Sequence, residues 1–154
     1  MILEVQTPGL LTTVQDLGRW GYQGKGMPVA GAMDPQVLQI GNILVGNNPQ
    51  EAALEITAMG PKLIVTEGEG LIVLVGAELG FNINGVGAPM WQSIRVKSGD
   101  EILVASPKGR GCRTYLCLLQ NLPLLIGRHR CPGGNGKQIY LSKGKSRRLG
   151  RAPS

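Results

Sequence analysis

Acidic residues are missing from the last third of this chain, and histidine is nearly missing from all of it. Residues 108–154 hold eleven basic side chains and no acid. Residues 1–107 hold all ten acids and five bases, Arg19, Lys25, Lys62, Arg95 and Lys97. The net charge of +6 and the pI of about 9.6 therefore come from the final third. The single histidine, His129, lies in that stretch, so a Ser/His/Asp triad would have to be built on it. One histidine, three cysteines and no Cys-x-x-Cys argue against any metal site. Cys112 and Cys117 have an odd spacing, which puts them on opposite faces of a strand. An odd number of cysteines also fits a reducing compartment better than a disulfide framework. No apolar run is long enough to cross a bilayer. The start, Met-Ile-Leu-Glu-Val, lacks the basic flank and apolar stretch of a signal peptide, and a cytoplasmic location is expected. No Gly-x-x-x-x-Gly-Lys-Ser/Thr occurs, so a phosphate-binding loop of that type is excluded.

What is present is one domain's worth of chain, 154 residues with 42% hydrophobic content. Through Leu118, short apolar runs alternate with turn residues, which predicts an all-β fold with one main helix. The expected strands are 2–5, 10–14, 53–57, 62–66, 71–76, 80–83, 90–96, 101–105 and 112–119. Asn84-Gly85 predicts a tight hairpin, because a type I′ turn needs positive φ at both central residues. Gly68-Glu-Gly70 and Ser98-Gly-Asp100 mark further turns. Asp34 followed by Pro35 reads as an N-cap and first helical position, and Gly46-Asn47 as the stop, giving a helix over 34–46. Val37, Ile40, Gly41 and Leu44, widened by Leu38 and Val45, form its expected apolar stripe.

Few residues carry candidate chemistry. In Gln15-Asp16-Leu-Gly-Arg19, the carboxylate and guanidinium flank a Gly-containing turn. There they either lock the turn or form a polar site for a carboxylate, carbonyl or phosphate, with Gln15 beside them. The loop Arg19-Trp-Gly-Tyr-Gln-Gly-Lys-Gly-Met-Pro28 brings Tyr22 and Lys25 among glycines that allow close backbone approach. Gly31-Ala-Met-Asp34 leads to a helix N-terminus, which favours anions, although Asp34 is expected to be committed to capping. Asn42 is either a buried, hydrogen-bonded amide or a substrate contact. Glu55 lies in an apolar strand, where an unpaired carboxylate is costly. It must face solvent, pair with a base, or line a pocket as a general base.

Thr12-Thr-Val-Gln-Asp-Leu-Gly-Arg19, Gly31-Ala-Met-Asp34, Gly41-Asn-Ile-Leu-Val-Gly-Asn47, Ala53-Leu-Glu-Ile-Thr57 and Met59-Gly-Pro61 follow one another in order. This succession resembles the C-type component of bacterial 5-oxoprolinase. The family is also called allophanate hydrolase subunit 2, biotin-dependent carboxyltransferase, and antagonist of a sporulation kinase inhibitor. The resemblance runs from about Met1 to about Leu118. It implies a cyclophilin-like β-barrel and work beside A- and B-type subunits in ATP-dependent opening of 5-oxoproline to glutamate. In that reaction the lactam oxygen is phosphorylated and water cleaves the activated bond. ATP would be the cofactor of the complex. The alternatives it implies are the carboxyltransferase part of a biotin-dependent urea or amide carboxylase, and a non-catalytic partner that antagonises a kinase inhibitor. From the residue readings above, Asp16, Arg19 and Glu55 are the expected catalytic residues. Gln15, Tyr22, Lys25 and Asn42 are the expected substrate contacts.

After Leu118 the resemblance fails. The family's Gly-Gly-Ile and Gly-Ser-Arg-Ser-Thr elements do not appear. The chain runs instead through Gln120–Arg130 and Pro132–Lys137 into Lys143-Gly-Lys-Ser-Arg-Arg148. Two segments are therefore expected, a cyclophilin-like domain over 1–118 and a divergent basic tail over 119–154 with little order. The abrupt change in composition and the early end are what a shifted reading frame would produce. Nucleic acid is a weak candidate partner, because Tyr140 is the one aromatic after Tyr115 and base stacking is poorly served. No membrane partner is expected.

Overall fold

The computed structural model describes residues 1–18, Gly24 and 31–119, together with the backbone of 128–130 and 137–139. In chain order the elements are β1 (Ile2–Thr7), β2 (Leu11–Gln15), α1 (Pro35–Val45), β3 (Ala53–Thr57), β4 (Lys62–Glu67), β5 (Glu69–Gly76) and β6 (Leu79–Ile83). There follow β7 (Val86–Gly87), β8 (Ile94–Lys97), β9 (Glu101–Pro107), β10 (Arg113–Leu118), β11 (Arg128–Arg130) and β12 (Lys137–Ile139). Two five-stranded sheets form, in the orders β1-β4-β9-β6-β7 and β2-β3-β10-β5-β8, and every pairing is antiparallel.

The alternation of the strands explains the core. Leu3 and Val5 of β1, Leu63 and Val65 of β4, Ile102 and Val104 of β9, and Leu79 and Phe81 of β6 come from the first sheet. They pack against Leu54, Ile56, Ile72, Leu74, Leu116 and Leu118 of the second sheet. The run Leu71–Val75 is apolar throughout because β5 is buried on both faces. Ile72 and Leu74 point into this core, while Val73 and Val75 join a second cluster under the helix with Leu38, Val45, Ala53, Tyr115 and Cys117.

Helix α1 starts and stops as its caps dictate. Asp34 Oδ1 accepts from Val37 N–H at 3.1 Å, Pro35 occupies the first turn, and Gly46 ends the helix with φ of 89°. Its buried stripe is Leu38, Gly41, Asn42 and Val45, whereas Ile40 and Leu44 of the expected stripe are exposed. The helix lies on the outer face of the second sheet, not inside the strands. Gly41 explains the rotation. A Cβ there would sit 2.6 Å from Cys117 Sγ and 2.7 Å from Val75 Cγ2, so the helix docks on its glycine, close to the sheet.

Asn84 and Gly85 have φ of 53° and 78°, as a type I′ hairpin requires. Asn84 also ties that turn to the next one. Its Nδ2 donates to Asp100 Oδ1 at 2.9 Å and its Oδ1 accepts from Glu101 N–H at 2.8 Å. The bond from Asn84, joined by one from Lys97 N–H, holds the Asp100 carboxyl below the usual range. Two expectations shift. The strand expected over 90–96 is Ile94–Lys97, because Trp91 turns back with φ of 61° and donates its N–H to Leu74 O at 2.8 Å. In the basic segment, β11 and β12 pair with Arg128 opposite Ile139. The rest of 120–154 lies outside the described residues.

The glycine contact has a measurable cost. Gly41→Ala is expected to lower stability by roughly 1–3 kcal/mol through overpacking, despite alanine's better helix propensity. Urea denaturation checks this. A Cys117→Ala background, which removes the nearest clashing atom, is expected to return part of the loss.

Candidate functional site

The second sheet's register builds a polar edge. Thr13 of β2 stands opposite Glu55 of β3, and Glu55 opposite Tyr115 of β10. Side chains two apart share a face, which places Gln15, Thr57 and Arg113 with them. Farther along this face the helix covers Ala53, Val73 and Cys117. It begins over Tyr115, whose hydroxyl accepts from Asp34 N–H at 2.8 Å. The face is thus apolar under the helix and polar beyond its first turn.

Glu55 organises the edge. It is 7% exposed, yet its carboxylate is supplied with donors on both oxygens. Oε2 accepts from Tyr115 Oη–H at 2.9 Å and from Met33 N–H at 2.9 Å. Oε1 faces Arg113 Nε at 3.6 Å, and that nitrogen also leans on Thr57 Oγ1 at 3.4 Å. Such satisfaction is what permits a buried charge, and removing one partner of a buried pair typically costs about 3–5 kcal/mol. Tyr115 is held neutral. Burial pushes its phenol up to about 12, and the adjacent Glu55 carboxylate adds to the rise. The Asp34 amide, which would favour phenolate, is outweighed.

The sequence candidates fare unequally. Gln15 donates to Thr13 Oγ1 at 3.1 Å on the polar edge. Asp16 is exposed and closes its own turn by accepting from Gly18 N–H at 2.8 Å, with Gly18 at φ of 81°. Its carbonyl accepts from Ala32 N–H at 2.8 Å, which ties the two motif stretches together. Asn42 is fully buried. Its Nδ2 donates to Glu51 O at 2.7 Å and its Oδ1 accepts from Asn47 at 3.0 Å. The amide therefore fastens the helix to its exit loop and takes no part in the polar edge. The Glu55 oxygens are turned to donors within the chain, Met33 N–H, Tyr115 Oη–H and Arg113. Arg19, Tyr22 and Lys25 lie outside the described residues. Sequence reading missed Tyr115, Arg113 and Thr57. The spacing of 113 and 115 on an expected strand was the signal, since two apart puts both on one face.

Other features sit apart. A cavity of about 380 Å³ is lined by Gly76, Leu79, Phe81, Met90 and Trp91, with Glu78 and Lys108 also contributing. None of the candidate residues lines it. No cluster of potential metal ligands occurs among the described residues. At the start of α1 most backbone donors are engaged within the chain. The N–H groups of Met33, Asp34 and Val37 are already taken by Glu55, Tyr115 and the Asp34 side chain. No helix among the described residues is long and apolar enough to cross a membrane.

Comparison with known proteins adds the relatives. Residues 25–123 match the family model described as carboxyltransferase domain, subdomain A and B. The chain is 34% identical over 121 residues to a putative urea carboxylase of Emericella nidulans, covering 79% of this chain and 10% of that protein. It is 36% identical over 121 residues to the C-type component of Escherichia coli 5-oxoprolinase, covering 76% of this chain and 37% of that protein. The crystal structure of Kluyveromyces lactis urea carboxylase superposes with a TM-score of 0.72 at 39% identity, over 76% of this chain and 10% of that one. The chain thus spans well under half the length of these relatives.

The buried phenol provides a test of the network. Because its folded value is raised, stability is full below the ordinary tyrosine range and is lost as pH rises from about 10 toward 12. Alkaline absorbance titration of the chain's three tyrosines is expected to show one ionising near 12. Tyr115→Phe should abolish that step, flatten the alkaline loss of stability, and cost roughly 1–3 kcal/mol at neutral pH for the acceptor and donor it removes.

Proposed function

The chain belongs to the carboxyltransferase domain A and B family, and from that premise we propose that it binds and polarises an amide-type carbonyl. The first reading is a C-type component of an ATP-dependent 5-oxoprolinase, acting with A- and B-type subunits on the lactam of 5-oxoproline. The observation that carries the amide reading is the polar edge fixed by Glu55, where Arg113 and the Thr57 hydroxyl sit beside the start of the helix. Opening an amide builds negative charge on its oxygen, and donors set in place before the reaction stabilise that charge without reorganising. Arg113 is held by a largely buried carboxylate, so its direction is set by the protein. Nucleotide handling is assigned to the partner subunits, since most amides at the start of α1 are engaged within the chain.

The Escherichia coli 5-oxoprolinase component and the urea carboxylase match over 121 residues each, at 36% and 34% identity, and 5-oxoproline is taken first on the motif resemblance alone. The second reading is carboxyl transfer to urea or a related amide, favoured by the Kluyveromyces lactis neighbour. There biotin would arrive on a carrier, and the donors of the same edge would polarise the ureido oxygen of its ring. Both readings need the same carbonyl-binding edge, and they differ in what is attached to it.

The chain assembled with A- and B-type subunits is expected to support 5-oxoproline-dependent phosphate release and glutamate formation. Glu55→Gln should cut that rate by roughly 10–100-fold through loss of charge-assisted bonds worth about 1.5–3 kcal/mol. Carboxylation of urea by a biotinylated carrier, with no response to 5-oxoproline, would transfer the assignment to the second reading.

A further inference from the structure

We propose that the terminal nitrogens of Arg113 bind a carboxylate on the substrate, so that the amide handled here carries an acid group. This rests on the amide reading above and deepens it, because 5-oxoproline carries such a group and urea does not.

A guanidinium offers five N–H donors in a rigid plane. In Arg113 the single Nε–H faces Glu55 Oε1 and Thr57 Oγ1. These contacts meet the inner side of the guanidinium. Among the described residues, no hydrogen bond or ion pair occupies the two terminal nitrogens. That outer edge has the spacing of a planar carboxylate and can take it through two parallel bonds. Glu55 does not compete for it. Its charge is shared with the Met33 amide and the Tyr115 hydroxyl, and its carboxylate is nearly buried. The arrangement is one arginine between two carboxylates, an inner one that aims it and an outer one that it binds.

The other ion pairs of the described residues are built differently. Lys62 with Glu101 and Arg95 with Glu69 join partners that are both well exposed, as surface pairs of little energetic weight are. Arg113 has a 9% exposed partner, while its own side chain is 30% exposed. It is therefore partly desolvated, where a charged hydrogen bond counts for more than at an open surface. Backbone geometry fixes it as well. Arg113 O accepts from Ala77 N–H at 2.8 Å, and Gly76, at φ of 117°, would drive a Cβ to 2.8 Å from the same oxygen. The first residue of β10 is thereby held against the end of β5.

Calorimetric titration of the full chain, alone and assembled with partner subunits, tests this with two lactams, 5-oxoproline and its carboxylate-free analogue pyrrolidinone. Wild type is expected to prefer the acid by roughly 10–100-fold, the worth of a charge-assisted pair. Arg113→Ala and Arg113→Lys should both erase most of the preference, so that each variant binds the two lactams about equally. The lysine variant guards against misfolding, because it keeps the positive charge beside Glu55 while losing the planar fork. If 5-oxoproline is hydrolysed but the preference survives both substitutions, the carboxylate seat is wrong and the 5-oxoprolinase reading stands. If glutarate binds in an Arg113-dependent way while no 5-oxoproline turnover occurs, the seat stands and that reading falls. Binding of urea with no binding of either lactam or of glutarate overturns both.

Discussion

A carboxylate buried in the second sheet can survive only if it is given donors, and much of this domain's organisation follows from supplying them to Glu55. Its donors come from two distant segments. Met33 N–H comes from the approach to the helix, and Tyr115 and Arg113 come from a strand about sixty residues on. Meeting the charge therefore requires that α1 begin at one place on the sheet and that β3 and β10 pair in one register. A slip by one residue would turn Glu55 into the apolar core, where the cost of an unpaired charge is prohibitive. The same group that fixes the fold thus fixes the polar edge.

Helix and sheet are adjusted to each other at a finer scale. Tyr115 is the hinge between them, since its ring packs under the helix while its hydroxyl accepts from Asp34 N–H and donates to Glu55. Asp34 serves twice, with its side chain capping Val37 and its backbone bound to Tyr115. At the other end of the helix, Asn42 and Asn47 stitch the exit loop to Glu51 O and Leu118 O. Between these anchors the bare backbone at Gly41 lets the helix lie close enough for both to hold. The polar residues that look most like a site in the helix are thus its fasteners, and the polar edge begins where the helix covering ends.

Much of the architecture was legible in the residues. Asn84-Gly85, Asp34-Pro35 and Gly46-Asn47 announced their turn and caps correctly, because each is a local conformational demand that few residue types meet. Strand runs such as Ala53–Thr57 were legible to the residue. The interval from Met90 to Ser93 was not. Its apolar character suggested strand, but the bond from Trp91 to Leu74 O turns it, and such a contact has no local signature. The helix stripe was misjudged for a similar reason. Ile40 and Leu44 are more apolar than Gly41 and Asn42, yet close approach favoured the smallest side chain and a hydrogen-bonded amide.

The candidate site divides along the same line. The sequence alone determined that Glu55 was anomalous, because a carboxylate inside an apolar run has a cost wherever it lies. It also determined the family resemblance and a mostly β fold with one helix, through periodicity and motifs that read out over a few residues. Only the tertiary structure decided what answers Glu55. Strand pairing brings Tyr115 and Arg113 beside it, and docking of the helix start adds Met33 N–H. Hydrogen bonding is short-ranged and directional, so partners far apart in the chain become partners only when the sheet has set their positions.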